Sequence, residues 1–491
     1  MGQEPKKIDR RSFLYVGLGA VALVAIGAAA YFAMKPPEVV TVTQSTTVPT
    51  TSVVTTTVPT TTVITQPTTT VVTTTVSTTT QPTKEILIKT IAQEGGQGVP
   101  AVPIFQAFNK KYAGYMKVEW ELVPFATMSQ KVYSTLFAKS SQYDMVPPHS
   151  TWLGSIAEHM EDISKYIEKY KDDPQWKVSL SDFPEGLVKL LTWKGKLTGL
   201  PFRCGSHGVL FYRKDLYEAK GLSPPKTIDE YIENARKLNN PPEVYGASLR
   251  GATQGQDLAE EFWSWMFTHG ADILNEEQNG TTPYPSKHSE TAEKIINAWI
   301  QMDKEGLLPP DWTSQTYADQ VTRMQRGLLA QMNEYSPRCL SVEDPNASKV
   351  VGKVGYIRFL KDNPEAIGPQ RACGNSFGVG INRYSPEEVK DAAYKLCVVM
   401  TSYEMQYLAA TQWANGPARI DVMQSPEYQK KVPVAQAHLD AMSIVKSYVI
   451  PQVPDIVKII QEELQYAFAK KKTVEACVES MWKRIGQLFT A

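Results

Sequence analysis

Gly374-Asn375-Ser376-Phe377-Gly378 has the G-x-S-x-G spacing of a nucleophile elbow, which would supply acyl-transfer chemistry. That motif needs a strand, a sharp turn carrying the serine, and a helix. Here Val379-Gly380-Ile381 reads as a strand directly after it, and a helix begins only near Pro386, so Ser376 is not expected to act as a nucleophile. Glu260/Glu261 and Glu343/Asp344 are paired acids of the kind that hydrolyse glycosides. Adjacent acids diverge in direction, however, and solvated surface charge is the ordinary reading. The six histidines (149, 159, 207, 269, 288, 438) show no H-E-x-x-H or other ligand spacing, so no metal site is expected. Neither a Walker P-loop nor a Rossmann fingerprint is present, and no cofactor is expected. Lys+Arg and Asp+Glu number 51 each, a balance that lacks the positive excess on which nucleic-acid affinity depends. Rings are plentiful instead: 23 Tyr and ten Trp, with every Trp after residue 84.

The elements that must position these groups are legible from residue 85 onward. Ile86, Leu87, Ile88, Ile91 and Ala92 make a mostly apolar run, as in a strand buried on both faces. A Gly95-Gly96-Gln97-Gly98 turn follows, then a helix striped by Ile104, Phe105, Phe108 and Tyr112. Val118, Trp120 and Leu122 alternate with Glu119 and Glu121, the period of a half-buried strand. Met128, Val132 and Leu136 stripe another helix, and Tyr143-Asp144-Met145-Val146 reads as a third strand. Strands alternating with helices predict a parallel α/β sheet, with ligands beyond the carboxyl ends of the strands. Two loops would therefore face a cleft, Glu94–Gly98 and Pro147–Trp152. Asp144 is better placed as a strand-end hydrogen-bond partner than as a ligand contact.

Before this body come two other kinds of segment. Residues 1–12 are a basic stretch (Lys6, Lys7, Arg10, Arg11), followed by an uncharged run at 13–34. Its 22 residues would make about 33 Å of helix, enough to span a bilayer core of about 30 Å, with the N-terminus cytoplasmic. Asp9-Arg10-Arg11-Ser12-Phe13-Leu14 resembles a twin-arginine export signal. Ala28-Ala29-Ala30 offers a cleavage point, but the length of the run favours an uncleaved anchor. Residues 35–84 are a Thr/Ser/Pro-rich linker. From Val39 to Thr83 there is no charged residue, and 23 of the 45 positions are Thr. That composition is expected to stay disordered, as a glycosylated stalk or a bare tether. Asn279-Gly280-Thr281 and Asn346-Ala347-Ser348 are glycosylation sequons. The remaining 407 residues carry 45 basic against 48 acidic side chains, and are too many for one simple core. Five Cys (204, 339, 373, 397, 477) leave at least one unpaired; Cys204 and Cys373 fall near the same region.

Three stretches of the body resemble a family. They are Gly195-Lys196-Leu197-Thr198-Gly199-Leu200-Pro201-Phe202, Val209 through Leu216, and Gly221-Leu222-Ser223-Pro224-Pro225-Lys226-Thr227. In their order and spacing they are similar to the central signature of the family 1 extracellular solute-binding proteins, the sugar receptors of ABC importers. The likeness continues through Gly374–Ile381, Gly416-Pro417-Ala418-Arg419, and a helix pair around Lys471–Glu475. Anchor plus stalk resembles the archaeal, membrane-tethered arrangement. The resemblance implies a two-lobe periplasmic-binding-protein-like α/β fold of type II, with lobes at 85–206 plus 373–403 and at 207–372 plus 404–491. It implies hinge closure about Cys204, Gly205, Ser206 and Gly208. It also implies a sugar ligand, expected to be an oligosaccharide, and partner permease subunits with a separate ATPase.

Sugars present hydroxyls at the ring edge and C–H groups on the faces, so their sites combine aromatic planes with planar polar groups. On that basis, and by position in the family, the expected ligand residues are Glu94, Ser150, Thr151, Trp152, Trp263, Tyr335, Asn375, Ser376, Trp413 and Arg419. Trp263 and Trp265 are two apart on a helix, so at most one should face the cleft. Arg419 has a lobe-internal ion pair as its alternative, and Glu94 a capping role. Other solutes (an oligopeptide, a phosphate ester, ferric ion), a tethered glycoside hydrolase and an envelope structural protein remain the competing functional readings.

Overall fold

The computed structural model describes residues 84–94, 98–275, 282–283, 287–412 and 415–490. The expected anchor and export signals, the Thr-rich tract to residue 83, the Gly95–Gln97 turn, the Asn279 sequon and Trp413 lie outside them. Among the described residues no helix is long and apolar enough to cross a membrane.

Strand and helix alternate as the apolar periods require. Strand β1 (Ile86–Gln93) is followed by helix α1 (Gly98–Lys111), β2 (Met116–Val123), α2 (Phe125–Phe137) and the short β3 (Met145–Val146). β1 runs parallel to β2 in unbroken register from Ile86↔Met116 to Gln93↔Val123, and parallel to β3 at Thr90↔Met145. β2 lies at the sheet edge, which is why its alternation stops short of Leu122, 43% exposed. Asp144 does act as a strand-end partner. Its carboxylate accepts from the Lys89 backbone N–H at 2.9 Å and from the Ser385 hydroxyl at 2.6 Å.

The sheet is mixed rather than parallel, which corrects the expectation. Five further strands complete it: β4 (Leu200–Arg213), β5 (Gln331–Tyr335), β6 (Val354–Arg358), β7 (Ala372–Ile381) and β8 (Val445–Lys446). Their order is β6-β4-β7-β3-β1-β2, with β8 added to β7 and β5 to β4. β7 is antiparallel to both β4 and β3, because it returns the chain from the second half of the body to the first. The two-lobe α/β architecture follows: β1–β3 build one half, β5, β6 and β8 the other, and the long strands β4 and β7 run through both.

Each half is a sheet between helices. In the first, α2 packs with Ile91, Trp152 and Leu153, while a later helix, α6 (Glu387–Met400), lies against β1, β7 and α1. In the second, period two along β4 sends Leu210 to one face and Val209 and Phe211 to the other. Leu210 joins a cluster built on α3 (Ile228–Leu238), α4 (Asp257–Thr268) and α5 (Lys287–Lys304), with Trp265 and Trp299 at its centre. α8 (Val453–Phe468) and α9 (Val474–Gln487) close that face. Val209 and Phe211 meet α7 (Ala435–Met442) and its neighbours. Thr227 and Thr473 start α3 and α9 by accepting the backbone N–H of Glu230 and Ala476.

All five cysteines are free and buried. Cys204 and Cys373 do fall on neighbouring strands, but Cys204 lies opposite Ser376 and Cys373 opposite His207. Their side chains enter different core clusters, so the two thiols are turned apart.

The glycines expected at the hinge also allow close packing. Gly205 and Gly208 sit inside β4 without positive φ; a Cβ at Gly205 would press on Tyr335 and Pro337 at 3.1 Å, and at Gly208 on Ser206 at 2.9 Å. Gly416 is tighter still, since a Cβ there would meet the Cys204 carbonyl at 2.0 Å. The Gly416–Pro417 segment is held beside β4 by His438 of α7. Its Nε2–H donates to the Pro417 carbonyl at 3.2 Å and its Nδ1 accepts from the Ser336 hydroxyl at 2.7 Å. Burial pushes this imidazole down to about 4. The unfolded chain takes up that proton near pH 6.5 while the folded one does not until about pH 4, so stability must fall as pH drops through that window. His438→Gln, which keeps a donor and an acceptor but does not titrate, should flatten the fall. Urea midpoints at pH 7 and pH 5 measure it, and an unchanged slope would remove His438 from the acid response.

Candidate functional site

A cleft of about 260 Å³ opens where β4 and β7 cross between the halves. Its first-half wall is formed at the carboxyl ends of β1–β3: Gln93 ends β1, Phe125 follows β2, and His149 follows β3. Arg203 and Gly205 come from β4, Asn375 and Phe377 from β7. The second half contributes Arg250, Gln254, Asp257, Glu260, Tyr317, Tyr335 and Arg338. A larger hollow of about 490 Å³ runs along α8 from Pro454 to Tyr466, but it holds a single ring and no arginine. The smaller one has the rings, amides and charges together.

Aromatic packing shapes the first wall. Phe125, 37% exposed, stacks on Trp152 with ring centres 5.2 Å apart and planes 19° apart. Phe377 and His149 pack edge and face around it, 4.2 Å from each other. His149 Nδ1 accepts from the Thr151 backbone N–H at 3.3 Å and lies 2.7 Å from the Thr151 hydroxyl, leaving Nε2 as the protonated nitrogen. Burial, reinforced by the Arg203 charge, pushes His149 down to about 3, so it is neutral.

Tyr335 anchors the opposite wall. Its hydroxyl accepts from the Asn375 amide at 3.0 Å, and its ring stacks on His207 at 5.5 Å with the Arg250 guanidinium 5.6 Å from its centre. Arg250 is 1% exposed and ion-paired with Asp257 (3.2 Å), Glu260 (3.5 Å), Glu261 (3.5 Å) and Glu334 (3.9 Å). It also donates to His207 Nδ1, and His207 Nε2 lies 3.3 Å from Glu261. Burial raises the carboxyls of Glu260 and Glu334 above their usual range against the pull of Arg250. At Glu261 burial acts the same way, but His207, Arg250 and the Trp265 indole outweigh it and its carboxyl is lowered. The expectation that Glu260 and Glu261 are solvated surface acids is therefore corrected: they are 7% and 0% exposed, and bind α4 to β4 through Arg250 and His207.

Of the residues expected to hold ligand, the structure brings Tyr335 and Asn375 to the cleft, with the crossover residues Cys204 and Gly205. Trp152 lies one layer back, beneath Phe125, and Thr151 supports His149. Ser150 is buried; its backbone N–H donates to the Ser376 carbonyl at 3.1 Å and its hydroxyl accepts from the Ser376 N–H at 3.4 Å. Four of the expected residues do not line the cleft. Ser376 is fully buried, because alternation along β7 turns it away from the face that Asn375 and Phe377 share; it sits mid-strand, not at a turn. Glu94 is exposed while its neighbour Gln93 lines the cleft, again one residue out of phase. Trp263 is 2% exposed in the second-half core against Tyr448, and Trp265 is core too. Arg419 takes its alternative, pairing with Asp421 (2.6 Å) and Asp182 (3.0 Å) away from the cleft.

Sequence reasoning missed Phe125, Arg203, Arg250, Tyr317, Arg338 and Phe377. The carboxyl-end rule applied to β2 would have pointed to Phe125, two residues after Val123. The arginines come from loops and strands whose partners are distant in sequence, and nothing local marks them. Among the described residues no cluster of His, Cys, Asp and Glu is arranged to hold a metal.

Comparison with known proteins agrees with this fold. An "ABC transporter-binding protein" (described as probable) from Deinococcus radiodurans is 26% identical over 308 residues, 61% of this chain and 67% of that one. The structure of maltose-bound T. maritima MalE3 superposes with a TM-score of 0.70 at 23% identity, covering 82% of this chain and 99% of the other. An ABC transporter solute-binding protein from Agrobacterium radiobacter, in complex with ribitol, gives 0.68 at 21%, over 82% and 99%. Residues 92–407, more than half of the chain, match the family described as bacterial extracellular solute-binding protein, and the chain belongs to that family.

Proposed function

We propose that the protein captures a saccharide in the cleft between its halves and delivers it to the permease of an ABC importer. The observation that carries this is the pair of opposed ring surfaces, Phe125 backed by Trp152 and Tyr335 fixed by Asn375, with amides and charged groups between them. Such a site meets both the apolar faces and the hydroxyl edge of a sugar ring. The named relatives support it: one is an ABC transporter-binding protein, and two were solved with maltose and with ribitol. Lobes at 85–206 plus 373–403 and at 207–372 plus 404–491, closing about Cys204–Gly208, fit strands that pass through both halves. Because those strands carry Arg203, Gly205, Asn375 and Phe377, closure and ligand contact would share the same residues.

The saccharide reading is tested by thermal unfolding of the full chain against a broad sugar panel. A ligand at 100 times its Kd stabilises the folded state by about 2.7 kcal/mol, readily seen as a rise in Tm. A rise with peptides and none with saccharides would reject the assignment. Phe125→Ala and Tyr335→Ala should each weaken binding by about 1–3 kcal/mol. Phe125 is partly exposed, so its loss should leave Tm without ligand almost unchanged; wild-type affinity in both variants would move the site elsewhere.

A tether completes the proposal: residues 13–34 would anchor the chain at the outer face of the cell membrane and 35–84 would hold the receptor away from it. The full chain should then sediment with membranes, and a chain lacking residues 1–34 should not. Release of the full chain by a salt wash would contradict an anchor that spans the bilayer.

A further inference from the structure

Two guanidinium groups in the cleft are left without a counter-charge. Arg203, on β4, lies 5.6 Å from the centre of the Phe377 ring, and its Nε is buried with no hydrogen-bond partner among the described residues. Arg338, in the turn after β5, lies over the Tyr317 ring at 4.4 Å. Both line the cleft. Among the described residues neither forms an ion pair, whereas Arg250 in the same cleft is met by four carboxylates. Glu334, the acid that feels Arg338, is already held by Arg250 and by the Tyr335 backbone N–H. Burial, with the like charge of Arg338, lowers Arg203 to about 10, which leaves it positive at neutral pH but shows the two groups repelling each other. His149 beside them is neutral and adds no compensation.

A hydroxyl can accept from one of these arginines but cannot balance two like charges. Each guanidinium lies over a ring, and the Arg203 Nε has no hydrogen-bond partner among the described residues, so N–H donors remain to meet an acceptor. That fork matches the paired oxygens of a carboxylate or of a phosphate or sulfate ester. We propose that the ligand is an acidic saccharide, its anionic group held by Arg203 and Arg338 while its ring lies between Phe125 and Tyr335. This rests on the saccharide reading above and narrows it. Asp257 and Glu260, which also line the cleft, would accept from hydroxyls.

Calorimetric titration of the full chain with matched pairs separates the two readings. The probes are oligogalacturonates against their methyl esters, and maltose against its phosphate and sulfate esters. One charged member should bind at least about 10-fold tighter than its neutral partner, and more weakly as salt rises. Arg203→Gln and Arg338→Gln should each lower that affinity about 10- to 100-fold, the loss of one charge-assisted contact, and so shrink the preference for the charged over the neutral member of a pair. The Arg338 variant and the salt series on unmutated protein keep the test decisive if Arg203→Gln does not fold. Neutral members binding as tightly as charged ones would overturn the acidic-ligand inference and leave the saccharide reading standing. Binding of inorganic phosphate, sulfate or acidic peptides, with no saccharide bound, would overturn both.

Discussion

Arg250 reaches the centre of the second half with almost no exposure to water, and four carboxylates turn toward it there. Buried carboxylates without a cation would be protonated or driven to the surface, and a buried arginine without them would be worse placed still. Together they join α4 to β4 and β5, because Asp257, Glu260 and Glu261 belong to the helix, His207 to β4 and Glu334 to β5. The same guanidinium lies against the Tyr335 ring, whose hydroxyl is held by Asn375 of β7. One charged group thus fixes a helix, two strands and the ring that forms the cleft wall.

The opposite wall needs no such charge. Phe125 is the first residue of α2, immediately after the edge strand, and it stays partly exposed because Trp152, His149 and Phe377 fill the space behind it. The two walls differ in the way they are held: one by apolar ring packing, the other by ion pairing beneath a ring. β4 and β7 join them, and period two along each strand decides which residues see the cleft. Asn375 and Phe377 face it, while Ser376 between them is locked into the interior beside Ser150.

Overall charge says little about this site. The chain is neutral and its body slightly acidic, yet the cleft holds two arginines unmatched by any acid among the described residues. Fields are focused by local arrangement within a low-dielectric wall, so what a ligand meets depends on where the arginines and acids of the cleft stand and not on the sum over the sequence. Arg419 illustrates the contrast. It belongs to a segment that resembles a cleft segment of the family, but Asp182 and Asp421 neutralise it.

The order of β1, α1, β2, α2 and β3 was readable from apolar spacing, because period and burial are local properties. So was the family, from motif order along the body, and so was Asp144, whose place at a strand end dictates a structural bond. Tyr335 and Asn375 were legible as residues of the cleft, one from motif position and the other from its place on the crossing strand. Phase was not: Gln93 rather than Glu94, and Asn375 rather than Ser376, differ by one residue, and only the packed sheet decides which face is inside. Nor was the fate of Glu260 and Glu261, two adjacent acids that look like surface charge until Arg250 and His207, distant along the chain, are brought against them. Sequence alone determined what each segment prefers; tertiary structure decided which charges neutralise one another, since Coulombic partners are chosen by distance in space and not by distance along the chain.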